Sequence, residues 1–154
     1  MKKTLRFTGL GLLLALGAGQ FVSSPRNTGV AEGPSSLVAR EKLPGEVKAM
    51  LQRACYDCHS DNTQYPWYAA AQPVGWWLNW HVTKGKAELN FSDFARYDAK
   101  RTVRKLRAVA DEVHDREMPL KSYLLMHGQA KLSDADVARL AKWAEDLAGD
   151  IESR

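Results

Sequence analysis

Cys55-Tyr56-Asp57-Cys58-His59, preceded by the amphipathic run Pro44 to Ala54 and followed by the turn-forming cluster Ser60-Asp61-Asn62-Thr63, decides the fold of this 154-residue chain. Two thiols three positions apart on a helical turn can each add to one vinyl group of a haem, and the histidine that follows then lies under the iron. This is the spacing of covalent c-type haem attachment. Other readings of the pair fail. Zinc needs at least two further ligands at knuckle-like spacing, and Cys55 and Cys58 are the only cysteines. A thioredoxin-like pair belongs in a strand-helix-strand pattern, which the chain lacks. A disulfide across two residues would close too small a loop to staple anything.

Outward from the motif, Val47, Met50, Leu51, Ala54 and Cys58 fall on one face of a helix opened by Pro44-Gly45-Glu46 and closed by the motif itself. Pro73 starts a second helix that carries Trp76, Trp77, Trp80 and His81. Three of the five tryptophans lie within five residues, an aromatic density suited to core packing or to walling a haem pocket. Ser92-Asp93 reads as the start of a third helix running to about Asp115, with Phe94, Tyr97, Val103, Leu106, Val109 and Val113 as its stripe. Six basic residues between Arg96 and Arg107 populate the rest, as a solvated face or a docking patch for an acidic partner or anionic lipid. Met118-Pro119 breaks that helix. Ser133-Asp134-Ala135-Asp136 caps a last one with Val137, Leu140, Ala141, Ala144 and Leu147 inward. The expected fold is all-α, a small cytochrome c-like bundle of about four to five helices around one covalently attached haem.

The N-terminus reads differently. Met1-Lys2-Lys3-Thr4-Leu5-Arg6 is positive and residues 9–19 are apolar, the order of a bacterial Sec signal. Residues 1–24 are therefore a signal peptide or an N-terminal membrane anchor, 25–43 a flexible Ser/Pro/Gly/Asn-rich linker, and 44–154 the haem-binding domain. The expected location is the periplasm, with attachment to the inner membrane through the N-terminal segment as the variant. Setting aside Lys2, Lys3 and Arg6 takes the formal charge from +4 to about +1, so the basic balance gives no support to nucleic-acid binding. A domain this small is marginal on its own core, and a buried haem would complete it. The expected state is a monomer.

The blocks Cys55-Tyr56-Asp57-Cys58-His59-Ser60, Tyr65-Pro66-Trp67-Tyr68, Pro73-Val74 with Trp76 and Trp77, His81, Leu89-Asn90-Phe91-Ser92, Met118-Pro119, Tyr123, His127 and Ala130-Lys131-Leu132-Ser133 together resemble the bacterial haem-binding domain family of small exported proteins. The order of N-terminal helix, motif, Met-Pro and C-terminal helix also resembles class I cytochrome c in architecture. These resemblances imply covalent haem and an exported, mostly helical domain.

The remaining question is the second axial ligand. Met50, just before the motif, should pack on the proximal side, and His114, near a helix C-terminus, suits a capping role. Met118 is favoured, because the proline after it stops the helix and lets the thioether project from a loop, as class I cytochromes present theirs. His81 and His127 are the alternatives, with Met126 behind. His59/Met118 ligation makes a single-electron carrier of relatively high potential that exchanges electrons with a redox partner protein. A histidine-ligated or open site would instead suit a haem peroxidase, or a gas-reactive or sensor protein. No paired carboxylates, Ser-His-Asp order or phosphate-binding glycine loop points to further chemistry, so an electron carrier rather than an enzyme is expected.

Overall fold

The computed structural model describes residues 2–154, with side chains from Phe7 onward. Met1 and the side chains of the leader's positive residues Lys2, Lys3 and Arg6 lie outside that description. The architecture is all-α: five helices of ten residues or more, α1 (Lys2–Gly19), α3 (Gly45–Ala54), α5 (Val74–Glu88), α6 (Ala99–His114) and α8 (Asp134–Glu152), joined by single turns α2 (Leu37–Arg40), α4 (Tyr56–His59) and α7 (Lys121–Leu124). Three 3₁₀ turns, Trp67–Ala70, Phe91–Arg96 and Gly128–Ala130, complete it, and no strand occurs among the described residues.

The core is built on the helical period. Val103, Leu106, Ala110 and Val113 of α6 alternate at three and four residues and meet Val137, Leu140, Ala144, Leu147 and Ala148 of α8, the largest helix pair in the molecule. Val47, Met50 and Leu51 of α3 close the third side. The capping box on α8 forms as its sequence dictates: Ser133 Oγ accepts from the Asp136 backbone N–H, and the Asp136 carboxylate accepts from the Ser133 N–H.

Three expectations change. First, α6 is capped by Asp98, whose carboxylate accepts from the Arg101 N–H at 2.7 Å, and does not begin at Ser92-Asp93. There Asn90 caps a 3₁₀ turn whose helical geometry breaks at Asp93, while the buried Ser92 hydroxyl accepts from Asp61 N–H and donates to the Ala31 carbonyl. Second, residues 25–43 are no free linker. Asn27 and Gly29 exchange backbone and side-chain hydrogen bonds with Ser60, Asp61, Asn62, Thr63 and Tyr65, and Leu37 is fully buried in the core. Third, the tryptophans of α5 do not fill the core: Trp76, Trp77 and Trp80 are 40%, 45% and 55% exposed, and Trp67 stands 84% exposed. The basic stretch is also partly engaged, with the Arg96 and Arg101 guanidinium groups over the Tyr97 ring and Arg107 paired to Glu152.

Candidate cofactor site at the Cys-x-x-Cys-His motif

The chain breaks at Cys55, where the backbone leaves helical geometry between α3 and α4. One turn then forms over the motif: Cys58 and His59 both donate backbone N–H to the Cys55 carbonyl, at 3.2 and 2.9 Å. Cys55, Cys58 and His59 thereby share the wall of one cavity. No disulfide joins the cysteines. Burial, with the neighbouring Cys58 thiol, pushes the Cys55 thiol up to about 12, and burial with Asp57 raises Cys58 to about 11, so both are neutral thiols at pH 7.

His59 is oriented from behind. Its Nδ1 lies 3.0 Å from the Leu89 carbonyl, which can only accept, so Nδ1 carries the proton and Nε2 keeps its lone pair. Burial lowers the imidazole pKa and keeps the ring neutral. Its position depends on Gly85. A Cβ there would stand 2.7 Å from the Cys58 carbonyl oxygen, so only glycine lets α5 lie this close to the motif.

Asp57, between the two cysteines, is tied down on both oxygens. Oδ1 accepts from the Gln64 N–H at 2.8 Å and Oδ2 from the Tyr123 hydroxyl at 2.6 Å. Tyr123 also lines the cavity, and its ring stacks on His127 at 4.0 Å. Burial and the Asp57 acceptor push its phenol well above the usual value, so it remains a donor.

The cavity holds about 510 Å³, within the range of cofactor pockets, and its lining is largely apolar. Opposite stretches of sequence converge on it: Trp80, His81 and Lys84 from α5, Lys105, Val109 and Glu112 from α6, and Met118-Pro119-Leu120 from the loop after α6. That loop is fixed. Arg116 adopts a left-handed backbone (φ 61°) that ends the helix, its guanidinium donates to the Leu132 carbonyl at 2.9 Å and pairs with Asp134, and the Met118 N–H donates to the Glu112 carbonyl at 3.0 Å.

The structure thus gathers Cys55, Cys58, His59, Met118 and His81 at one cavity. His127 is outside its lining, with Nδ1 held by the Tyr123 carbonyl. Met50 is buried in the core, Met126 is exposed, and exposed His114 faces Asp115. A profile described as a haem-binding domain matches residues 14–146. The chain belongs to the haem-binding domain family. No curated protein and no solved structure matches it. The residues of this haem-binding domain fit the group: a largely apolar cavity, a neutral imidazole with a fixed tautomer, and two thiols on the same wall. Gly85, Lys84, Lys105 and the Asp57–Tyr123 bond were not singled out by motif reading. The one available signal was Gly85 itself, a glycine within the last turn of α5, which demands a reason for its cost.

Proposed function

We infer that the protein is an exported mono-haem c-type cytochrome that carries single electrons. The observation that supports this best is that Met118 lines the same cavity as Cys55, Cys58 and His59, from a loop fixed independently of the motif. In this reading Cys55 and Cys58 would hold the haem as thioether anchors, and His59 Nε2 and the Met118 thioether would be the ligands to its iron. Bound haem supplies a one-electron iron couple whose potential the axial ligands set. The protein's share is positional: Leu89 fixes the imidazole, the Arg116 contacts hold the methionine loop, and the cavity wall carries two cations that would meet propionate carboxylates, Lys84 and Lys105, the latter shared with Glu88 at 3.5 Å. The positive start and apolar run of the leader support export to the periplasm, where a redox partner protein would meet the domain.

His81 favours a second reading. It also lines the cavity, and its Nδ1 is held by the Trp77 carbonyl at 2.9 Å, leaving Nε2 as a lone-pair donor. Histidine ligation, or an iron left open beside His81, would suit a low-potential carrier or a gas- or peroxide-reactive site. Mixing the haem-loaded protein with carbon monoxide, peroxide and a soluble one-electron acceptor separates the readings. The electron carrier resists carbon monoxide, does not turn over peroxide and exchanges electrons rapidly. Rapid gas binding or peroxide turnover by the wild type would overturn that assignment.

A further inference from the structure

Helix α1 presents apolar side chains all around its circumference. Leu10, Leu12, Leu13, Leu14 and Leu16 are 46–68% exposed, and nothing lies within 4 Å of where a Cβ would stand on Gly9, Gly11 or Gly17. A protein groove covers one stripe of a helix, whereas hydrocarbon covers every side. The helix is about 27 Å long, and no helix among the described residues is long and apolar enough to cross a membrane. Its C-terminal end, however, is fastened to the domain at one place. The Gln20 side-chain amide donates to the Gln72 carbonyl at 3.0 Å and its oxygen accepts from the Gln72 N–H at 2.9 Å. Trp76 Nε1 donates to the Val22 carbonyl at 2.8 Å, and its indole packs on the Gly19 backbone. This clamp sets exposed Trp76 and Trp77, and Phe21 at 91% exposure, around the point where the apolar helix meets the folded domain. Indoles, large and apolar with a single N–H that needs one polar partner, concentrate at the headgroup level of a bilayer, and in Trp76 that partner is already the Val22 carbonyl. The family match begins at residue 14, so the last turns of α1 belong to the shared domain.

We propose that Trp76 and Trp77, together with Phe21, seat this domain in the interfacial layer of a phospholipid bilayer into which the leucine-rich body of α1 dips. The seat rests on the leader being retained after export, but not on the identity of the haem ligands. Trp80, one turn further along α5, lines the haem cavity, so the seat also places one wall of that cavity beside the membrane surface.

The test uses the full haem-loaded chain isolated from membranes, with its intact mass measured, then reconstituted into phosphatidylcholine–phosphatidylglycerol vesicles. Lipids brominated near the headgroup quench indoles at the interface, and aqueous iodide quenches those in water. The proposal expects a full-length mass, a loss of emission with brominated lipid that iodide does not reproduce, and a smaller bromolipid loss in Trp76→Phe/Trp77→Phe. The haem spectrum of the variant reports its folding. Should the variant lose haem, wild-type bromolipid against iodide quenching decides alone. A cleaved leader, or indoles quenched by iodide and untouched by bromolipid, overturns the seat. In the latter case the aromatic face is free for a protein partner. An unchanged haem spectrum in either outcome leaves the electron-carrier reading standing.

Discussion

Gly85 and the Asp57–Tyr123 pair carry the site's precision. A methyl group at Gly85 would collide with backbone, not with a flexible side-chain tip, so α5 and the motif must separate. Gly85→Ala is expected to cost about 1–3 kcal/mol in the denaturant midpoint of the holoprotein, as overpacking does, and to lower the ratio of haem to protein absorbance. Wild-type stability and loading would show that α5 can shift without consequence. Tyr123→Phe leaves Asp57 Oδ2 without its phenol partner while Gln64 still serves Oδ1, and the pair is only half-buried. A loss of about 1 kcal/mol is expected, read by chemical denaturation. In the sequence Gly85 shows only as a helical glycine and Tyr123 only as part of a family resemblance, and the contact each makes was not legible. Asp57 stands at a position the motif leaves unspecified, and its bond to Tyr123 spans 66 residues, beyond any local pattern.

At the scale of elements, the strongly periodic helices α3 and α8 follow from sequence, because their buried positions recur at the helical period and their starts carry recognisable chemistry. The start of α6 did not. Ser92-Asp93 has the residue types of a cap, yet the tertiary demands of Asp61 and Ala31 on the Ser92 hydroxyl outweigh them, and Asp98 takes the role. The tryptophans of α5 divide between the two readings the sequence left open: none fills the core, while Trp80 lines the cavity, because large apolar area says only that water is unfavourable and not what replaces it. The α8 cap gives a pH prediction. Hydrogen bonds from Ser133, then Arg53, hold the Asp136 carboxyl below its ordinary 3.8. A depressed carboxyl stabilises the fold above its unfolded pKa and loses that contribution as pH falls through the folded value. Asp136→Asn should therefore flatten the stability–pH curve below the ordinary carboxylate value, and Ser133→Ala should cost about 1 kcal/mol. Thermal melts across the acid range check both. An Asp136→Asn curve as steep as wild type would rule out the cap as a source of acid lability.

For the whole molecule, the haem motif is the feature most completely legible in sequence, since five residues hold thiols and imidazole together. The cavity is less so. Its walls come from α5, α6 and the Met118 loop, and only the fold brings Lys84, Lys105 and Glu112 to one surface. A domain with a cavity of about 510 Å³ should depend on its contents. Cys55→Ala/Cys58→Ala, which removes both thiols of the proposed attachment, is expected to melt well below the holoprotein and to show lost near-ultraviolet dichroism with retained helix content. A sharp transition at the wild-type temperature would mean that the apoprotein core is self-sufficient. Replacing the thioether should shift the couple as well. Met118→Ala is expected to lower the reduction potential by on the order of a tenth of a volt, within the roughly 0.8 V that axial ligation spans, as read by spectroelectrochemistry.

The most direct test of His59/Met118 ligation is the near-infrared spectrum of the ferric protein, recorded for wild type, Met118→Ala and His81→Ala side by side. The methionine-to-iron charge-transfer band should be present in wild type and His81→Ala and absent from Met118→Ala. A wild-type spectrum without that band, or a band that survives Met118→Ala, would contradict the assignment of Met118.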